Sequence, residues 1–116
     1  MIKKFIIKII VLLIPAFGAK ADYKVVLFGD SLMAGYGLDK KYHLSNVLEQ
    51  SLNKKGLKVK VINASVSGDT SAGGLNRIAW TISEKNIDII LLGLGANDML
   101  RGISQTKLKK TWKKLL

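Results

Sequence analysis

Hydrophobic and polar positions divide this chain into alternating strand-like and helix-like segments. Val25-Val26-Leu27-Phe28 is an unbroken apolar run, three of whose four residues are β-branched or aromatic. That composition suits a strand covered on both faces. Gly29 follows and permits an abrupt turn. Leu44, Val47, Leu48 and Leu52 recur at helical spacing, with Gly56 placed to end the helix. Lys58-Val59-Lys60-Val61 alternates, as a half-exposed edge strand does. Leu75, Ile78 and Ile82 mark a second helix, capped by Asp69, Thr70 or Ser71. Ile87 to Leu92 is apolar apart from Asp88 and reads as a central strand. A last helix begins at Ser104 or Gln105 and runs to the end, with Leu108, Trp112 and Leu115 on one stripe.

The order β-α-β-α-β-α predicts an α/β fold with a parallel sheet and right-handed crossovers. Three small, polar loops would then share one rim, beyond the carboxyl ends of the strands, where ligands gather in such sheets. They are the loop opened by Gly29-Asp30-Ser31, the loop Asn63 to Ser71, and the loop Gly93-Leu94-Gly95-Ala96-Asn97-Asp98. The last strand reads as one that needs neighbours on both sides, yet no fourth strand follows it within the 116 residues. The expectation is the amino-terminal half of a larger fold.

Residues 1 to 21 add a separate element. Lys3, Lys4 and Lys8 form a positive region, Ile9 to Ile14 an apolar core, and Ala19-Lys20-Ala21 a small-x-small cleavage pattern. Those three parts predict a secretory signal peptide, export to the periplasm or beyond, and a domain over 22–116 that begins after cleavage between Ala21 and Asp22. A membrane anchor would need roughly 20 apolar residues.

Charge changes the picture less than its total suggests. The formal net charge is +11. The leader holds Lys3, Lys4, Lys8 and Lys20, and the last ten residues hold Lys107, Lys109, Lys110, Lys113 and Lys114. The remainder is nearly neutral, so a nucleic-acid partner is not expected. The terminal lysines fit a helix that covers the sheet, or the end of a truncated reading frame, better than membrane recruitment. There is no cysteine, which excludes disulfides and thiolate metal sites. No metal or cofactor is expected, and the oligomeric state is left open.

The candidate chemistry lies in the three loops. Taken alone, Asp30-Ser31 is as well explained by a loop or N-cap, Gly68 by a turn, and Asn97 by a cap. Gly29 to Met33 departs from the G-x-S-x-G nucleophile elbow, and Asp98 stands where the dinucleotide fingerprint Gly93-Leu94-Gly95 would need its last glycine. Together, however, Gly29-Asp30-Ser31-Leu32, Ser67-Gly68-Asp69-Thr70 and Gly95-Ala96-Asn97-Asp98 resemble the first three sequence blocks of the GDSL, or SGNH, hydrolases. Asn63-Ala64-Ser65 is close to their periplasmic acyl-thioesterase, lysophospholipase and arylesterase branch.

The resemblance implies a three-layer α/β/α, flavodoxin-like fold with strand order 2-1-3. It implies Ser31 as nucleophile towards acyl esters, thioesters or lysophospholipids, through a covalent acyl-serine. The oxyanion hole it implies is the Ser31 backbone N–H, the Gly68 N–H and the Asn97 side-chain amide. Gly29, Asp30, Gly95 and Asp98 are expected to support the loops. The family's general base is a histidine in a late Asp-x-x-His block, and no such block occurs in these residues. His43 is the one histidine, and it matches no catalytic position. The chain is thus expected to be inactive alone; a non-catalytic acyl- or anion-binding module, or a truncated gene product, is the alternative.

Overall fold

The computed structural model describes residues 20–83 and 86–116, so the expected leader lies almost wholly outside the described residues. The elements run β1 (Tyr23–Gly29), α1 (Ser31–Ala34), a 3-10 turn (Lys40–Tyr42), α2 (Leu44–Lys54), β2 (Val59–Asn63), α3 (Ser71–Ile82), β3 (Ile89–Gly93), α4 (Ala96–Leu100) and α5 (Gln105–Leu115). The three strands form one parallel sheet in the order β2-β1-β3.

The register explains the layers. Val25 and Leu27 of β1 stand beside Val61 and Asn63 of β2 and beside Ile89 and Leu91 of β3. Val25, Leu27, Val59 and Val61 make the buried cluster on one face, closed by Met33 and by Leu48 and Leu52 of α2. Phe28 points the other way because successive strand side chains alternate. It packs under α3, where Gly74 leaves room for its ring. α5 packs against α3 on that second face, with Leu108, Trp112 and Leu115 half-buried. The parallel sheet is the one expected from the pattern, and the three layers are those that the resemblance implied.

Three helix boundaries have a local cause. Thr70 is the N-cap of α3, its hydroxyl accepting from Gly73 N–H. Ser104 serves α5 in the same way through Lys107 N–H. At the end of α2, Gly56 adopts the left-handed conformation and Leu57 N–H returns to the Leu52 carbonyl.

Three expectations are corrected. The loop after β1 is not irregular throughout. Asp30 caps a one-turn helix, accepting Leu32 N–H at 3.0 Å, and so α1 begins at Ser31 itself. The loop after β3 likewise contains α4. The third strand, read as starting at Ile87, starts at Ile89; it lies at the sheet's edge among the described residues, in the expected order 2-1-3. Its start is late because the Asp88 carboxylate turns back to accept the Lys24 N–H at 2.7 Å.

Candidate active site

All three polar loops meet at the carboxyl rim of the sheet. Ser31 is the first residue of α1 and is partly exposed, directly beyond the strand that carries the most buried residues of the fold. Gly29 stands opposite Gly93 in the β1–β3 register. A Cβ at Gly29 would stand 2.6 Å from the Gly93 carbonyl oxygen, and Met33 crosses the same space, so glycine is required by close approach. Asp30, Leu32, Met33, Gly93, Leu94 and Ala96 line a shallow cavity of about 280 Å³ beside the serine. A larger cavity, about 420 Å³, opens between β2 and Trp80 and is lined by none of Ser31, Gly68 and Asn97.

The second loop is sewn onto β1. Ala64 N–H donates to Leu27 O, and Val66 N–H to Gly29 O, each at 2.9 Å. Gly68 has φ +80°, a left-handed backbone that presents its peptide at the loop tip. Arg101 Nη2 donates to the Gly68 carbonyl at 2.9 Å. The third loop joins the second through two contacts. Asn97 Nδ2 donates to the Asp69 carbonyl at 2.9 Å. Asp98, buried, accepts Ser71 N–H at 2.7 Å and Ser71 Oγ–H at 2.6 Å. Both bonds of Asp98 end on the α3 N-terminus, where a carboxylate also meets the helix dipole favourably.

Donors that are already engaged cannot receive a substrate. Among the described residues, the N–H groups of Ser31 and Gly68 donate to no protein acceptor. Asn97 uses one contact of its amide nitrogen on Asp69, and an amide carries two N–H donors. Ser31 Oγ has no hydrogen-bond partner among the described residues. His43 lies at the N-cap of α2, with Nε2 3.0 Å from the Leu38 carbonyl oxygen and its ring against Gly35. Facing an acceptor, that nitrogen is the protonated one, so it is a donor and not a base. Gly95 (φ +123°) sits at the start of α4. Among the described residues no three His, Asp or Glu side chains gather as a metal site requires.

Arg77 was not visible as a site residue from its sequence position. It lies on α3, stacked over the Phe28 ring with its guanidinium carbon 3.8 Å from the centroid. Its fork reaches Asp69 Oδ2 (2.7 Å), the Ala64 carbonyl and the Gly29 carbonyl (3.1 Å). The available signal was an arginine two turns into a helix whose other inward residues are small or apolar.

The parallel sheet thus sets a serine at the end of its middle strand, flanked by two loops that carry amide donors. Comparison with known proteins gives the family. The GDSL-like lipase/acylhydrolase family matches residues 27–116. The chain belongs to that family. It is 38% identical to esterase TesA of Pseudomonas aeruginosa over 90 residues, which cover 78% of this chain and 45% of that protein. It is 34% identical to thioesterase 1/protease 1/lysophospholipase L1 of Escherichia coli K12 over 105 residues, 90% of this chain and 49% of that protein. Among solved structures, AlinE4, an SGNH-hydrolase family esterase, superposes with a TM-score of 0.77 at 38% identity, covering 83% of this chain and 51% of AlinE4. The chain therefore spans about half the length of the relatives it matches.

Proposed function

We propose that this chain carries the nucleophile and oxyanion cradle of a hydrolase acting on acyl esters or thioesters, with a lysophospholipid as a further substrate of the same chemistry. Ser31 Oγ attacks the acyl carbonyl, and the carbonyl oxygen becomes an oxyanion in the tetrahedral intermediate. The Ser31 and Gly68 N–H groups and the Asn97 amide receive that charge. Collapse expels the alcohol or thiol and leaves an acyl-serine, which water then cleaves. Gly29, Asp30, Gly95 and Asp98 hold the loops rather than react. The observation that carries this reading is the pairing of unspent N–H groups at Ser31 and Gly68 with an Asn97 amide tethered to the residue next to Gly68. Removing one oxyanion donor typically costs about a hundredfold or more in rate.

The attacking hydroxyl also needs a base, and His43 is turned away onto Leu38. The 116 residues alone are therefore proposed to be inactive. The test compares hydrolysis of p-nitrophenyl butyrate and of an acyl-CoA by the chain alone and by the chain joined to the second half of esterase TesA. Turnover is expected only in the joined protein, and Ser31→Ala should lower it by up to the order of a millionfold. Turnover that survives Ser31→Ala would remove Ser31 from the mechanism. Saturable binding of a short-chain fatty acid by the chain alone, without turnover in either form, would favour an acyl-binding module instead. Residues 1–21 support export, and amino-terminal sequencing of the exported protein should then read Asp22 first.

A further inference from the structure

We infer that Arg77 is the positioning residue of the oxyanion cradle, fixing both non-serine donors through Asp69; this rests on the oxyanion reading above. Gly68 precedes Asp69 in the chain, and Asn97 Nδ2 donates to the Asp69 carbonyl. Whatever fixes Asp69 thus fixes two donors from different loops. The Asp69 carboxylate is held by Arg77 Nε at 2.7 Å, with both side chains largely withdrawn from solvent. The same guanidinium holds the Gly29 carbonyl, two residues before Ser31, and the Ala64 carbonyl just past the end of β2. One planar group therefore ties the strand that presents the nucleophile to the loop that presents Gly68. Phe28 beneath it sets the plane, since a guanidinium stacks on an aromatic face.

Two further features agree. Gly73 has no side chain, and a Cβ there would collide with Asp69 Oδ1, so the carboxylate occupies space that the glycine leaves. Charge matters as well. A lone carboxylate next in sequence to Gly68 would oppose an oxyanion forming there, and its pairing with Arg77 cancels that charge. Lysine cannot substitute, because an ammonium is a point charge without the planar fork that addresses several acceptors at once. Arg101 is exposed, and its guanidinium makes one hydrogen bond among the described residues, to the Gly68 carbonyl.

The test uses NMR of the ¹⁵N-labelled full chain, so it does not depend on catalysis. In Arg77→Lys and Arg77→Met, hydrogen exchange of the Val66 and Asp69 amides is expected to rise at least about tenfold as the loop opens locally. The Asn97 Nδ2 resonances should move towards those of a free asparagine. The Val59 and Val61 amides, remote from the pair, should stay unchanged. Gly73→Ala should move the same Asn97 signals with Arg77 intact. Unchanged Val66, Asp69 and Asn97 signals in a folded Arg77 variant would overturn the inference. So would uniform changes that include Val59 and Val61, which mean a merely structural role. If every variant unfolds, the wild-type Arg77 Nε–H decides: exchange as fast as that of exposed Arg101 overturns the inference, and exchange at least about tenfold slower supports it. Signals that respond as expected, in a joined protein whose turnover ignores Ser31, would leave the positioning intact and remove the oxyanion reading.

Discussion

The two outer strands of this sheet have opposite constructions. β2 alternates lysine and valine, and its outer edge is covered from within. Asn53 of α2 donates to the Val59 carbonyl at 3.1 Å and accepts Val59 N–H at 2.9 Å, imitating a neighbouring strand. Glu49, one turn earlier, accepts Val61 N–H at 2.8 Å. β3 is Ile-Ile-Leu-Leu-Gly, with Ile89, Ile90 and Leu91 between 37% and 49% exposed. Among the described residues no side chain caps its outer edge as Asn53 caps β2. β2 is built as an edge, and β3 has the composition of an interior strand. The difference is one of sealing: side chains of α2 cap the polar outer edge of β2, and the apolar outer edge of β3 has no such cap among the described residues.

The contrast can be broken most sharply at the residues that face each other in register, Leu27 and Leu91. Leu27 is fully buried, and Leu91 is 40% exposed. Leu27→Ala should cost about 3–5 kcal/mol, whereas Leu91→Ala should cost under about 1 kcal/mol, because a cavity forms only where neighbours surround the side chain. Urea unfolding of both variants checks this, and equal losses would show that the core extends under β3. A smaller effect is expected at the sealed edge. Asn53→Ala leaves the Val59 N–H and carbonyl unpartnered and should cost about 1–3 kcal/mol, read from the same transition. An Asn53→Ala variant with wild-type stability would mean that the edge needs no seal. The smallest change in stability belongs to Ile89→Lys with Leu91→Lys, within about 0.5 kcal/mol. Charges on an open edge oppose strand pairing, so this variant should associate less than wild type in sedimentation velocity. Unaltered association would place the sticky surface elsewhere.

The carboxyl rim repeats the lesson on a smaller scale. Asp98 and Asp69 are both acidic residues in glycine-containing loops, and nothing local distinguishes them. Asp98 is spent on Ser71 of its neighbouring helix, and Asp69 on Arg77 and, through its carbonyl, on Asn97. Ser31, Gly68 and Asn97 could be singled out because each stands in a short block at a strand end. Arg77 could not, because its three acceptors come from positions 8, 13 and 48 residues away in the chain.

What the sequence determined by itself was periodic or local. The buried run Val25–Phe28, the helical spacing from Leu44 to Leu52, the alternation in β2 and the helix starts near 69–71 and 104–105 all act within one or two turns of chain. Short-range sterics and hydrogen bonding suffice for them. The small helices at Ser31 and Ala96 escaped that reading because a single turn has too few positions to show a period. Only the tertiary structure decided that Asn53 seals an edge and that one guanidinium joins three segments at the rim. Each of those depends on which distant groups the crossovers bring within hydrogen-bond reach, and no local pattern carries that information.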